Sequence, residues 1–426
     1  MPADALIVLL EGRPVGRIER TAGGALRFDY DTGIDPVATP LSVSMPQAVR
    51  RHGDARIAPW LWGLLPDNAD VLAHWGRRFG VSVASPFPLL ATPVGRDCAG
   101  AVQFCPPNEL ADLLSRGGDV TQQSEAQVAQ RLRSLRADAT SWLGPDFSGR
   151  FSLGGAQAKT ALYFSDGRWG VPTGAAATSH ILKPAMPGFG HLDLNEHLCL
   201  RCADIAGLHA ARSRMMIFED QTAIVLERFD RVRAADGLIR VHQEDLCQAL
   251  GVHPARKYQS DGGPSPAQIA DLLRSSVSGG AAEADVWRFA DALAFNWVIA
   301  GTDAHAKNYC LLLAGTRVRL APLYDVASML PYDDSGTHKI SLAMKVGGDY
   351  RLRRTDRRSA WERTADELRL DRTRLIQRVL ELAQKIPAAL EQAIEQEDVA
   401  RINSDLPQRL LELVATRAAR CATILG

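Results

Sequence analysis

The sequence predicts an α+β protein in which a β-rich N-terminal part is followed by a helical C-terminal part. Between residues 4 and 46, and again between 160 and 226, short apolar runs end at glycine, proline or acidic turns, which is typical of strands. Beyond residue 231 the apolar residues recur at helical spacing. A chain of 426 residues with 46% apolar and 23% charged residues is expected to be globular and to exceed one domain.

These patterns divide the chain into three predicted regions, 1–105, 106–230 and 231–426. In the first, three strands within residues 4–30 and a fourth at Leu41–Pro46 precede a helical stretch that runs from Trp60 to Phe79. The second region begins with a bridge whose helix starts at a capping box, Ser124 to Gln127. It then continues with the strands and helices predicted at 161–164, 178–184, 192–207, 213–218 and 222–226. The third region has helices predicted at 242–251, 265–275, 281–300 and 360–426.

Composition excludes several classes of protein. Lys plus Arg equal Asp plus Glu at 49 each, so no overall charge attracts nucleic acid or an anionic membrane. No apolar run reaches the roughly 20 residues that span a bilayer, and we expect no membrane association. The seven cysteines are scattered and odd in number, which indicates reduced thiols and a cytoplasmic protein. Cys199 and Cys202 lie in a predicted helix and are interpreted as helix-face residues, not metal ligands.

The candidate chemistry centres on residues 295–325. Asp303 is followed five residues later by Asn308, and Asp325 comes after a predicted hairpin at 309–320. Protein kinases use a carboxylate at the attacking hydroxyl, an amide oxygen five residues later on one Mg²⁺, and a further aspartate on the metals. Taken alone, Asp303 would fit a helix cap and Asp325 would fit a turn as well as they fit a kinase site. The ordered set of three predicts phosphoryl transfer.

A glycine-containing loop precedes a predicted strand at residues 151–160. Such a loop can present successive backbone N–H groups to phosphate oxygens. A Walker A loop is disfavoured because Ala158 stands before Lys159 and a strand follows. A plain hairpin turn remains the alternative.

Two charged residues and one strand end complete the candidate site. Lys183 ends a predicted strand, where it could hold ATP phosphates or be solvated. Glu196 lies in the first turns of the next helix and fits either an ion pair with Lys183 or a surface acid. Residues 227–231 follow a strand whose backbone could bind a nucleotide base.

One dense basic cluster lies near the C-terminal third. The cluster consists of Arg351, Arg353, Arg354, Arg357 and Arg358. It fits either a segment that binds nucleic-acid phosphates or a solvated turn.

Taken together, the motifs resemble the HipA family of serine/threonine kinases, the toxin half of a type II toxin–antitoxin pair. The matching segments are LSVSMP (41–46), LWGLLPDN (61–68), FSLGGAQAKTAL (151–162), HILKP (180–184), LNEHLC (194–199), ERFDR (227–231), GTDAHAKNY (301–309) and LAPLYDVAS (320–328).

The resemblance implies a two-lobed, protein-kinase-like fold. Residues 1–105 would be an extra N-terminal subdomain, 106–230 a β-rich N-lobe with its linker, and 231–426 an all-α C-lobe. It also implies ATP and Mg²⁺ as cofactors. Asp303 would be the catalytic acid/base, Asn308 and Asp325 the metal ligands, and Ser152 a site of inhibitory autophosphorylation. The ATP-binding residues would be Ser152, Gly154, Gly155, Ala156, Gln157, Lys159, Lys183, Glu227, Phe229, His305 and Lys307.

The family implies a non-specific serine/threonine protein kinase whose substrate is a serine of another protein, in characterised members an aminoacyl-tRNA synthetase. Its partners would be a HipB-like helix-turn-helix antitoxin and, through that antitoxin, operator DNA, with the arginine cluster on the phosphates. The chain departs from the common pattern at Ala304 and at Leu153, Gly155 and Ala158. A catalytically silent nucleotide-binding co-repressor and a small-molecule kinase are the two alternatives.

Overall fold

The computed structural model describes residues 4–115, 118–144, 149–186, 188–235, 237–277, 280–333 and 339–426. Within these ranges the strands are β1 (Ala5–Leu10), β2 (Arg13–Arg20), β3 (Leu26–Tyr30), β4 (Arg51–His52), β5 (Val102–Cys105), β6 (Asp119–Gln123), β7 (Thr160–Ser165), β8 (Arg168–Thr173), β9 (His180–Pro184), β10 (Ser213–Phe218), β11 (Gln221–Glu227), β12 (Arg231–Ala234), β13 (Gly237–Arg240), β14 (His242–Asp245), β15 (Cys310–Ala314), β16 (Arg317–Leu320), β17 (Ser341–Val346) and β18 (Asp349–Arg351).

The α-helices of the described residues are α1 (Asp54–Leu64), α2 (Ala69–Phe79), α3 (Pro86–Leu90), α4 (Leu110–Ser115), α5 (Glu125–Ala137), α6 (Leu192–Ile205), α7 (Leu246–Leu250), α8 (Pro266–Ser276), α9 (Ala281–Ile299), α10 (Leu352–Thr355), α11 (Arg358–Leu368), α12 (Arg372–Ile394), α13 (Glu397–Ala400) and α14 (Leu406–Leu425). The predicted α+β class is therefore what the structure has.

The strands form sheets whose order follows short antiparallel connections. The N-terminal sheet runs β4-β3-β2-β1-β5, and a six-stranded sheet runs β10-β11-β9-β7-β8-β6. A smaller sheet has the order β14-β15-β16, so the hairpin predicted between Asn308 and Asp325 is present. Lys183 on β9 lies opposite Ile224 on β11, which places it inside the six-stranded sheet.

Several sequence predictions differ from the structure. The helical stretch predicted from Trp60 to Phe79 is two helices, α1 and α2, which are separated at residues 65–68. Leu41–Pro46 is a turn with one isolated bridge, Ser42 to Met45, and does not form a strand. The helix predicted at 242–251 begins only at Leu246, because Asp245 is its N-cap and accepts a hydrogen bond from the Gln248 N–H at 2.9 Å. The four residues that end with that cap form strand β14.

The chain divides into two compact units. The first comprises Met1–Pro184, Ile217–Ala255 and Leu311–Val318, and the second comprises Ala185–Met216, Arg256–Cys310 and Arg319–Gly426. This division does not coincide with the three predicted regions, which stay a prediction. The described part of the second unit is helical apart from short turns, parts of strands at its boundaries and the β17–β18 hairpin.

The second unit is built around helix α9. Twelve of its residues are buried, and α12 and α14 pack against it because each presents an apolar face. Trp297 of α9 is fully buried; its indole N–H donates to the Thr355 hydroxyl at 3.0 Å, and its ring meets Trp361 edge-on at 5.3 Å. This packing fixes the end of α9, from which the candidate catalytic loop starts.

A buried charge cluster lies in the first unit. Asp97 accepts hydrogen bonds from Arg231 at 2.9 Å and Arg240 at 3.3 Å, and Arg228 pairs with Asp230 at 2.7 Å. Burying such charges costs free energy of desolvation, which their mutual attraction and hydrogen bonds offset. The cluster therefore holds together segments that are more than 130 residues apart.

No helix within the described ranges is both long enough and apolar enough to cross a membrane.

Candidate functional site

The candidate catalytic loop begins where α9 ends. Ala300 takes a left-handed φ of 54°, which terminates the helix, and Gly301 then donates its N–H to the Asn296 carbonyl at 2.7 Å. The Asp303 carbonyl accepts two hydrogen bonds of 2.7 Å, from the His305 N–H and from the Asn308 side-chain amide. The five-residue interval between Asp303 and Asn308 thus closes a compact loop.

Asp303 presents its carboxylate to solvent. Its side chain is 65% exposed, while the His305 imidazole beside it is 4% exposed and lies 3.9 Å from the same carboxylate. Tyr258 donates its hydroxyl to Oδ1 of Asp303. An accessible carboxylate with one oxygen hydrogen-bonded is suited to accept a proton from a hydroxyl group.

Asn308 and Asp325 are the two predicted Mg²⁺ ligands, and both carry side-chain oxygen atoms in the second unit. The amide nitrogen of Asn308 donates to the loop backbone, so its oxygen is the atom that can bind a cation. Asp325 is half-buried and has a positive φ of 55°, an uncommon conformation for a non-glycine residue and one that occurs at functional sites. Among the described residues no group of three His, Cys, Asp or Glu side chains forms a metal cluster.

The segment before and after Asp325 is anchored within the second unit. Tyr324 donates its hydroxyl to the Lys307 carbonyl, which ties this segment to the catalytic loop. The Asn195 side chain of α6 makes two hydrogen bonds of 2.9 Å with the Ser328 backbone, and the Ser328 hydroxyl donates to the Ile299 carbonyl at 2.6 Å. Hydrogen bonds of Tyr324 before Asp325 and of Ser328 after it therefore hold this segment in place.

His305 and Lys307 are both buried residues of this loop. Ala304, the departure from the common family pattern, is not one of the non-glycine residues with positive φ. An alanine therefore costs nothing there through left-handed strain.

The glycine-containing loop of the first unit is closed on itself. Lys159 donates Nζ to the Gly154 carbonyl at 2.6 Å, and that ammonium lies 5.0 Å from the centre of the Trp142 ring. Gly155 has a φ of 95°, a conformation that favours glycine. Ala156 and Gln157 continue the turn, and the Gln157 side chain is partly exposed.

The LWGLLPDN segment holds this loop in place. The Ser152 hydroxyl is fully buried and donates to the Leu64 carbonyl at 2.9 Å, while the Asp67 N–H donates to the Gly155 carbonyl at 3.0 Å. Both hydrogen bonds lie within the first unit. Through these two hydrogen bonds the LWGLLPDN segment supports residues 152–155.

Lys183, Glu227 and Phe229 also belong to the first unit, whereas Glu196 belongs to the second. The Lys183 side chain is 4% exposed, so the solvated alternative for this lysine is wrong. Glu227 ends β11 with its side chain exposed, and Phe229, two residues later, is half-buried. The ion pair between Lys183 and Glu196 stays a prediction.

The arginine cluster covers the end of β18, helix α10 and the start of α11. All five side chains are exposed. Arg354 lies 3.5 Å from Asp349, and Arg358 lies 3.4 Å from Glu362. Pairs this exposed contribute little to stability.

Several residues of the site were missed from the sequence. Tyr258, Asn195 and Ser328 carry side-chain contacts that fix the predicted residues. Asn195 and Ser328 stand inside the motifs LNEHLC and LAPLYDVAS, which was the available signal. Tyr258 had none, because it is 45 residues from its partner in the chain.

The chain is α+β. Its helical unit carries the loop from Asp303 to Asn308, and its six-stranded sheet carries the buried Lys183 next to a glycine-containing loop. These features are those of a protein-kinase-like fold. Comparison with known proteins then gives the family. The model described as HipA-like C-terminal domain matches residues 151–390, and the HipA N-terminal domain model matches residues 6–105. The chain belongs to the HipA family, as the motifs predicted.

Relatives and a solved structure agree with this assignment. The putative kinase Y4mE of Sinorhizobium fredii is 34% identical over 423 residues, covering 98% of each chain. The serine/threonine-protein kinase toxin HipA of Shewanella oneidensis is 28% identical over 395 residues, covering 87% of this chain and 84% of the relative. The structure of Shewanella oneidensis HipA with HipB and operator DNA gives a TM-score of 0.84 at 25% identity, covering 99% of this chain and 97% of that one. The kinase-like fold is thereby confirmed.

Proposed function

We propose that this chain is a toxin serine/threonine protein kinase that transfers the γ-phosphate of ATP to a serine of another protein. The observation that carries the proposal is the catalytic loop. It holds an exposed Asp303 carboxylate, and the Asn308 amide is hydrogen-bonded to the Asp303 backbone carbonyl, in a chain of the HipA family.

In this proposal Asp303 accepts the proton of the acceptor hydroxyl. The hydroxyl oxygen forms a bond to the γ-phosphorus as the bond from that phosphorus to the β–γ bridging oxygen breaks, and ADP leaves. Mg²⁺, when bound by Asn308 and Asp325, supplies positive charge for the phosphate oxygens. His305 and Lys307 would lie beside the triphosphate.

Nucleotide binding is assigned to the first unit. Lys183 would hold the α- and β-phosphates, and its place on β9 of the six-stranded sheet supports this assignment. The loop from Ser152 to Lys159 would receive phosphate oxygens. The backbone at Glu227 and Phe229 would bind adenine.

Autophosphorylation at Ser152 is the proposed off-switch. The hydroxyl is buried and donates to Leu64, so its modification requires that hydrogen bond to break first. A phosphate dianion would not fit back into this site and would repel ATP. The modified loop would therefore leave its place.

The partners follow from the relative of known structure, which was solved with HipB and operator DNA. We propose a HipB-like helix-turn-helix antitoxin that neutralises this chain in the cytoplasm and joins it on operator DNA as a co-repressor. The proposed substrate is an aminoacyl-tRNA synthetase, whose modification would arrest growth. Contact of the five clustered arginines with DNA phosphates is part of this proposal.

The test is phosphate transfer from labelled ATP with Mg²⁺, combined with mapping of phosphoserines in cells that express the chain. Asp303→Ala should reduce transfer at least about hundredfold, because general base catalysis typically contributes about that much or more. Glu391→Ala, which changes an exposed acid on α12, is the matched control and should stay active.

Three outcomes would contradict the proposal. Full transfer by both Asp303→Ala and Asp325→Ala would reject the assigned roles. Nucleotide binding and operator repression without any transfer would indicate a silent co-repressor. Label on a sugar or aminoglycoside, and none on protein, would indicate a small-molecule kinase.

A further inference from the structure

Tyr258 stands against the catalytic loop within the second unit. Its hydroxyl donates a hydrogen bond to Oδ1 of Asp303. Its ring meets the His305 imidazole edge-on, with centroids 4.9 Å apart and planes at 86°. One side chain therefore contacts both the proposed base and the buried histidine two residues after it.

The backbone around Tyr258 is fixed on two sides. The Ala306 N–H of the catalytic loop donates to the Lys257 carbonyl at 3.3 Å. On the other side, the Lys345 N–H of β17 donates to the Gln259 side-chain oxygen at 2.7 Å. The Lys257 ammonium also lies 5.6 Å from the centre of the Tyr258 ring. Tyr258 is thus anchored to the loop itself and to a neighbouring strand.

The Asp303 carboxylate needs such an anchor. With 65% of its side chain exposed, packing does little to select one rotamer. A base must hold its oxygen within hydrogen-bond reach of the acceptor hydroxyl, and small misplacements are expensive in rate. A charge-assisted hydrogen bond from the Tyr258 hydroxyl to Oδ1 selects one orientation of this carboxylate.

We propose that Tyr258 is a positioning residue that fixes the Asp303 carboxylate in the orientation used for phosphoryl transfer. This inference rests on the proposed function, since it assigns Tyr258 a part in that reaction. Tyr258 acts through Asp303 and His305 and touches neither the nucleotide nor the reacting atoms in this assignment.

The test is Tyr258→Phe, which removes only the hydroxyl and keeps the ring against His305. We expect kcat to fall about ten- to hundredfold, the range expected when a hydrogen bond to a charged group is removed. KM for ATP and the thermal unfolding midpoint should stay near the wild-type values, because nucleotide contacts and packing are kept. Tyr350→Phe removes a phenolic hydroxyl from β18 of the same unit and should leave kcat unchanged.

Two results would overturn the inference alone. One is wild-type kcat in Tyr258→Phe while Asp303→Ala is inactive, which would make the hydroxyl irrelevant. The other is a higher kcat or a lower KM for the protein acceptor, which would mean that the hydroxyl competes with substrate. Absence of transfer by the wild-type chain would instead overturn the proposed function and this inference with it.

Discussion

At the scale of single residues, Lys159 shows how one side chain determines the geometry of a loop. Its ammonium is bound to the Gly154 carbonyl at 2.6 Å, and the residue is 4% exposed. A Cβ added at Gly155 would meet that same ammonium at 2.8 Å. The sequence placed Lys159 at the end of a glycine loop, but it could not indicate that the lysine closes the loop internally.

Lys159→Met tests this closure. Methionine keeps most of the buried stem but removes the charged donor, so we expect the free energy of unfolding to fall by about 1.5–3 kcal/mol. ATP affinity should weaken as the loop loses its fixed conformation. Denaturant unfolding and calorimetric ATP titration measure the two effects.

Lys385→Met, at an exposed position on α12, is the control for the removal of a lysine and should change neither quantity. Unchanged ATP affinity in Lys159→Met would show that the loop does not depend on this hydrogen bond.

At the scale of elements, the arginine segment combines a fixed backbone with exposed charges. Leu352 and Thr355 of α10 are buried, and Thr355 accepts the indole hydrogen bond of Trp297. The arginines between and beyond them are exposed. Sequence alone left a solvated turn and a phosphate-binding segment equally open.

The Arg353→Ala/Arg354→Ala double variant separates the two interpretations. In complex with its antitoxin, operator binding should become less dependent on salt. The slope of log affinity against log salt should be smaller by about 0.9 for each DNA phosphate that the variant no longer neutralises. Fluorescence anisotropy at several salt concentrations measures this slope.

Arg77→Ala/Arg78→Ala on α2 removes the same charge from exposed positions elsewhere and is the control. Equal slopes for the wild-type complex and for the Arg353/Arg354 variant would leave the solvated turn as the explanation.

At the scale of the whole molecule, the buried cluster around Asp97 links residues matched by the N-terminal family model to residues matched by the C-terminal one, all inside the first unit. Burial alone would raise the pKa of Asp97, but the charges of Arg231, Arg228 and Arg240 outweigh it and hold that pKa well below its usual range. Burial and the nearby Arg228 charge lower the pKa of Arg231 to about 10, so it stays charged at neutral pH.

Asp97→Asn should lower the free energy of unfolding at pH 7 by about 3–5 kcal/mol, because it leaves buried guanidinium groups without their counter-charge. The pKa of Asp97 is lower in the folded than in the unfolded protein. Its contribution to the free energy of unfolding is therefore present above the unfolded pKa of about 3.8, and it decreases as the pH falls through the folded pKa. The free energy of unfolding of the wild-type protein should therefore decrease at pH values below about 4, and this decrease should be smaller in Asp97→Asn. Urea unfolding at about pH 7 and between about pH 4 and 3 measures both effects.

Asp31→Asn changes an exposed aspartate of the same unit and should follow the wild-type pH profile. If the free energy of unfolding of Asp97→Asn depends on pH as in the wild-type protein, another group causes the loss of stability at acidic pH.

The sequence by itself determined the α+β class, most helices and strands, and the order Asp303, Asn308, Asp325, because these features depend on local periodicity and short spacing. It also indicated the HipA family through its motifs. It failed at Leu41–Pro46, which forms a turn with the isolated Ser42–Met45 bridge, and at 242–245, where pairing of β14 with β15 and the Asp245 cap outweighed the local pattern.

Only the tertiary structure decided which side chains support the site. Tyr258 reaches Asp303 across 45 residues, Leu64 holds Ser152 across 88, and Asp97 meets Arg231 across 134. A local pattern carries no information on such contacts, because they depend on how separate elements pack. That is why the candidate catalytic residues could be predicted from the sequence, whereas the residues that contact them could not.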